Sequence, residues 1–145
     1  MPISASRNYQ EGRILSADPT ELVQILYEAA IDSVEKAIRH LREGNIAARS
    51  KTISRAHAIL VELGISIDRD TQPELASNLI ELYDYMERRL IEANQRQAEP
   101  PLAEVAKLLR TLLEGWEICR RALTTPPPVE PPEEESEHAG RIWMA

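Results

Sequence analysis

Four stripes of aliphatic residues, recurring at three- and four-residue steps, constrain the fold of this chain more than any other feature. They run over residues 22–41, 46–67, 75–93 and 102–119. This spacing places apolar side chains on one face of a helix, and no segment shows the alternation of a strand. Connections of a few residues make neighbouring helices antiparallel. The sequence therefore predicts an all-α fold, an antiparallel up-down four-helix bundle.

Residue types that favour helix ends stand beside each stripe. Asp and Asn cap the first turn, proline suits the first helical position, and glycine accepts a left-handed end. These signals are Asp18-Pro19-Thr20-Glu21, Gly44, Asn45, Thr71-Gln72-Pro73-Glu74, and Pro100-Pro101 between the third and fourth helices. The fourth helix is expected to run to about Leu123.

The bundle is predicted to span residues 18–125, with an N-terminal arm at 1–17 and an acidic tail at 126–145. Five of the ten prolines lie in 126–132, and residues 126–145 hold five Glu and one Arg, a net charge of −4. Proline breaks helices and like charges repel, so we expect the tail to be disordered. Its end, Arg141-Ile142-Trp143-Met144-Ala145, is either a docking motif or an inert terminus.

Composition and spacing argue against catalysis and most ligands. The net charge of −7 argues against nucleic acid as the main partner, and the five glycines are isolated rather than grouped in a phosphate loop. The His residues lack the Glu-x-x-His spacing of a di-metal bundle site, and Cys119 falls on the apolar stripe of the fourth helix. No signal core or membrane span is visible. We expect no enzyme activity, no cofactor, no small-molecule substrate and no membrane insertion.

The chain carries more apolar surface than a bundle needs. Apolar residues cover more than half of the first helix, and Ile80, Tyr83 and Tyr85 lie off the core stripe of the third. A bundle helix requires an apolar stripe only about 100° wide. The surplus means either deeper burial or a groove that awaits a partner helix, and composition alone leaves both open.

The basic residues Arg49, Lys51 and Arg55 are expected on a solvated face.

The order of short motifs resembles the FliS family of flagellin-specific export chaperones over about residues 8–120. The third helix carries the most specific run, Leu82-Tyr83-Asp84-Tyr85-Met86-Glu87-Arg88-Arg89-Leu90. The other matching stretches are 8–9, 17–23, 25–30, 56–63, 78–81, 92–94, 104–105 and Trp116. The sequence departs from the family at 69–73, where glycines are usual, and the resemblance does not account for the tail.

The resemblance implies a cytoplasmic chaperone that binds the disordered C-terminal segment of flagellin. Binding would prevent premature filament polymerisation and help delivery to the flagellar type III export gate. The residues expected to contact flagellin are Tyr9, Ile14, Leu22, Tyr27, Ile31, Ile80 and Tyr83, with the arm lying over a groove in the free protein. The alternatives are a helical adaptor and a histidine phosphotransfer module that would use His57, although the Lys that usually follows such a His is absent.

Overall fold

The computed structural model describes residues 18–124, which form four helices. They are α1 (Pro19–Arg42), α2 (Ile46–Ile65), α3 (Pro73–Arg96) and α4 (Glu99–Thr124). The predicted all-α fold is confirmed, and the part of the chain that the structure describes contains no strand. The predicted arm and tail lie outside the described residues.

The four helices pack as a square. α1 and α3 each pack against both α2 and α4, and the packing of α1 on these two neighbours is the more extensive. Residues 43–45, 66–72 and 97–98 connect successive helices, so neighbours run antiparallel. One end of the bundle therefore holds the starts of α1 and α3 together with the ends of α2 and α4.

Two of the predicted helix starts are capped by side chains. The Asp18 carboxylate accepts the backbone N–H of Glu21 at 2.8 Å, and the Asn45 side-chain oxygen accepts that of Ala48 at 3.1 Å. Both bonds satisfy donors that the first turn of a helix leaves free. Gly44 has a φ of 74°, which confirms the predicted left-handed position after α1.

The start of α3 differs from the prediction. Pro73 occupies the first turn as expected, but the N-cap is Gln72 and its side chain makes no capping hydrogen bond. The Asp68 carboxylate accepts the N–H groups of Asp70 and Thr71 within the connecting loop. α3 therefore begins with fewer satisfied donors than α1 or α2.

A buried arginine contacts the C-terminal end of α3. Arg49 was expected on a solvated face, and that expectation is wrong, since only 4% of the residue is exposed. Its guanidinium donates to the side-chain oxygens of Asn94 and Gln97 and to the Asn94 carbonyl, at 3.1–3.5 Å. A cation at a helix C-terminus is favoured by the exposed carbonyls and the helix dipole.

The prolines at 100 and 101 do not interrupt a helix, because α4 already begins at Glu99. Both lie in its first turn, where the missing N–H would have no partner. The connection between α3 and α4 is correspondingly short, and Gln97 adopts a left-handed φ of 53° within it.

The core is aliphatic, as predicted, and its largest fully buried side chains come from α2, α3 and α4 together with Val34 of α1. They are Leu60, Met86, Leu90, Leu102, Leu109, Val34 and Val105. Three residues assigned to the stripes are exposed instead, Ile46 at 57%, Leu75 at 51% and Cys119. Ile46 and Leu75 lie in the first turns of α2 and α3.

Two tyrosines meet across the diagonal of the square. Tyr27 of α1 and Tyr83 of α3 are 4% and 3% exposed, and their hydroxyl oxygens lie 2.5 Å apart. Tyr83, which lies off the core stripe in the sequence pattern of the third helix, is therefore buried in the core together with Tyr27. Burial raises the pKa of both hydroxyls, so both stay protonated and each can serve the other as donor or acceptor.

Leu60→Ala is expected to lower the free energy of unfolding by about 2–5 kcal/mol, because it leaves a cavity in a fully buried layer. Leu75→Ala makes the same chemical change at an exposed position and should cost under about 0.5 kcal/mol. Urea denaturation followed by circular dichroism measures both. Equal losses would contradict the exposed placement of Leu75.

Tyr27→Phe or Tyr83→Phe alone is expected to cost about 1–3 kcal/mol, because each leaves one buried hydroxyl without its partner. The double variant removes both hydroxyls and should be less destabilised than the sum of the single variants. A double-mutant cycle of unfolding free energies tests this coupling. Additive losses would show that the two hydroxyls are satisfied independently.

Candidate functional site

An apolar groove of about 610 Å³ opens at the end of the bundle where α1 and α3 start. All four helices and the 66–72 loop contribute to its lining. The apolar side chains of the lining, apart from the two tyrosines, are Pro19, Leu22, Val23, Leu63, Ile67, Leu75, Ala76, Leu79 and Trp116. These apolar side chains together line one surface at this end of the bundle.

The tyrosine pair lines the inner part of this groove. Tyr27 and Tyr83 join α1 to α3 through their hydroxyls, although these two helices are not neighbours in the square. Two aromatic rings at this level occupy the centre of the bundle, and beyond them toward the helix starts the space between the helices is open. The groove therefore begins where the buried core ends, at the level of the two tyrosines.

Trp116 forms the wall on the α4 side. Its indole N–H donates to the backbone carbonyl of Thr20 at 3.2 Å, which ties the end of α4 to the first turn of α1. The ring is half-buried and packs against the core. A fixed, partly exposed indole offers a large apolar surface to a ligand at little cost in side-chain entropy.

The lining carries little charge. Asp68 is its one charged side chain, beside the polar Thr20, Ser66, Thr71 and Gln72. Hydrogen bonds from the Thr71 hydroxyl and from the backbone hold the pKa of Asp68 below its usual range, so the carboxylate stays ionised. A surface of this kind binds by burying apolar area, and a few polar groups at its rim set orientation.

Outside the groove, a smaller pocket of about 420 Å³ is lined only by the polar and charged side chains of Gln24, Glu117, Arg120 and Arg121. His57 Nε2 lies 3.5 Å from Glu87 Oε1, across the contact between α2 and α3. Cys119, expected on the apolar stripe, is exposed instead. Within residues 18–124 no group of three or more His, Cys, Asp or Glu side chains is placed to hold a metal ion. No helix among those residues has both the length and the hydropathy of a membrane span.

The structure brings together three of the seven residues expected to contact a partner. Leu22, Tyr27 and Tyr83 line the groove. Ile31 is half-buried and packs against the core, and Ile80 is half-buried outside the groove lining. Tyr9 and Ile14 lie outside the described residues.

Sequence reasoning missed most of the groove. Val23, Ile67, Leu75, Leu79 and Trp116 line it, but they fall on or beside core stripes and none had been expected to contact a partner. A signal for Leu75 is its position in the first turn of α3, although position alone does not decide burial, since Leu102 in the first turn of α4 is fully buried.

Comparison with known proteins places this fold in a family. Residues 2–122 match the family described as flagellar protein FliS. The chain is 36% identical over 107 residues to the flagellar secretion chaperone FliS of Salmonella typhimurium, covering 73% of this chain and 79% of the relative. It is 30% identical over 123 residues to that of Escherichia coli, covering 84% and 88%.

A third relative is the flagellar secretion chaperone FliSB of Pseudomonas aeruginosa, which is 31% identical over 119 residues, 79% of this chain and 94% of the relative. The family match spans all four helices, including every residue that lines the groove. The chain therefore belongs to the FliS family of flagellar secretion chaperones.

Proposed function

We propose that this protein binds the C-terminal segment of flagellin in the cytoplasm, in a 1:1 complex. By covering that segment it prevents flagellin from polymerising early, and it assists delivery to the flagellar type III export gate. The observation that carries the proposal is the apolar groove at one end of the bundle, in a chain of the flagellar secretion chaperone family. The protein acts by binding and needs no cofactor.

Helix-in-groove recognition fits the shape and chemistry of this surface. A guest segment that is disordered when free forms an amphipathic helix, whose apolar face enters the groove. Coupled folding and binding typically buries about 1,000–3,000 Å² and loses about 2–5 kcal/mol to ordering. That loss permits a complex that holds its guest and still releases it.

The residues of the groove contribute unequally. Leu75, 51% exposed, is the lining's exposed large hydrophobic residue on the α3 side, and Trp116 is half-buried on the α4 side. Leu22 of α1 is half-buried in the lining, while the buried Tyr27 and Tyr83 form an inner boundary that limits how deep a guest side chain can reach. Trp and Tyr side chains are enriched among the few residues that dominate binding energy at protein interfaces.

The N-terminal arm is proposed to cover the groove in the free protein and to shift when flagellin binds. Pro19 and Thr20, which directly follow the arm and Asp18, both line the groove. A chain leaving from that point needs no long path to reach it. Tyr9 and Ile14 would supply the apolar side chains, and they would then contact the guest once displaced. Ile31 and Ile80 would extend the contact beyond the groove.

A phosphotransfer role for His57 is the less favoured function. The carboxylate of Glu87, 3.5 Å from the imidazole, places negative charge where a phosphoryl group would have to approach. The family match favours the chaperone function instead.

Leu75→Ala is expected to weaken binding of a flagellin C-terminal peptide about tenfold, which corresponds to about 1.4 kcal/mol of lost apolar contact. Ile118→Ala is the matched control, because Ile118 is 60% exposed but lies outside the groove. Isothermal titration calorimetry compares the two variants with the unchanged chain. Identical affinities for all three would remove the groove from the binding site.

Deleting residues 1–15 is expected to raise the association rate of the same peptide at least threefold, because the groove would no longer have to be uncovered. The full-length double variant Tyr9→Ala/Ile14→Ala should reproduce most of that gain without shortening the chain. Stopped-flow fluorescence of a labelled peptide measures the rates. An association rate that neither change alters would exclude the arm from the mechanism.

A further inference from the structure

The two sides of the groove are held in place to different degrees. On the α1 side, Asp18 caps the helix, Trp116 donates to the Thr20 carbonyl, and Arg120 donates to the Gln24 side chain at 2.7 Å. These bonds fix the first two turns of α1 to α4. This wall cannot move without breaking hydrogen bonds that are partly buried.

The α3 side lacks a comparable set of bonds in the described structure. Residues 73–82, here called the rim segment, follow Gln72, which supplies no side-chain cap. Within the rim segment Ala76 is buried, Leu79, Ile80 and Leu82 are half-buried, and the remaining residues are exposed. Most of its contact with the bundle is therefore apolar and shallow.

The polar contacts that tie α3 to its neighbours begin where the rim segment ends. Tyr83 bonds Tyr27, Tyr85 and Arg89 both bond Glu104 of α4, Glu87 faces His57, and Asn94 accepts from Arg49. All of these α3 residues follow position 82. The polar contacts of α3 with neighbouring helices thus begin at Tyr83, and the rim segment that precedes it is held mainly by apolar contacts.

We infer that the groove opens by outward movement of the rim segment about Tyr83, while the α1–α4 wall stays fixed. The Tyr83 ring also lies beside α2, since a Cβ added at Gly64 would be 4.0 Å from it. Local opening of this kind is expected where few buried contacts hold a helix. The inference deepens the proposed function, because the moving segment carries Leu75 and Leu79 of the groove.

Hydrogen exchange of the free, full-length protein tests the movement without any partner. Since the first four N–H groups of a helix have no intrahelical acceptor, the comparison uses residues 77–82 of α3 and the equivalent positions 23–28 of α1. We expect residues 77–82 to exchange at least tenfold faster than 23–28, and faster than 86–93 of the same helix. Equal protection of the two sides would overturn the inference.

Ser77→Ala tests whether this opening governs binding. Ser77 is exposed, lies outside the groove lining, and its replacement by alanine favours helix at that position. Exchange of 77–82 and the association rate of a flagellin C-terminal peptide are each expected to fall about twofold. Ser54→Ala, the same change at an exposed position of α2, should alter neither quantity.

The outcomes separate this inference from the proposed function. If the peptide fails to bind at all, the proposed function is wrong, and the exchange comparison still decides whether the rim segment moves. If Ser77→Ala slows exchange but leaves the association rate unchanged, the movement is real but is not part of binding, and the inference as stated is overturned.

Discussion

The hydroxyl contact between Tyr27 and Tyr83 is the interaction on which the architecture of the groove depends. It joins two helices that are not neighbours, in a core that is otherwise aliphatic. Burying two phenol groups is tolerable because each satisfies the other. Below this contact the bundle is filled by leucine, valine and methionine, and above it the helices enclose an open apolar space. The same pair thus ends the core and lines the inner part of the groove.

The bundle is closed at one end and open at the other, and the two ends are built differently. At the closed end, the buried Arg49 donates hydrogen bonds to the side chains of Asn94 and Gln97, at the C-terminal end of α3. At the open end, α3 starts with an uncapped turn beside Leu75. A chaperone needs this division, because it must keep its fold while part of its surface adapts to a guest that folds on binding.

The sequence predicted the helices well and the groove poorly, for a physical reason. Asp18, Gly44 and Asn45 act through bonds within a few residues, so their local pattern was enough to place helix ends. The burial of Arg49 and the exposure of Leu75 depend on which helix lies opposite, which spacing along one helix does not encode. Tyr83 seemed surplus on its own helix wheel because its partner, Tyr27, lies 56 residues away.

The near absence of charge from the groove lining has a consequence for the evolution of its guest. Asp68 is the one ionised group there, so recognition measures the size and spacing of aliphatic side chains rather than reading specific polar groups. Exchanges among leucine, isoleucine and methionine would leave such a fit almost intact. Under the proposed function, the bound segment of flagellin could therefore undergo such exchanges without a matching change in its chaperone.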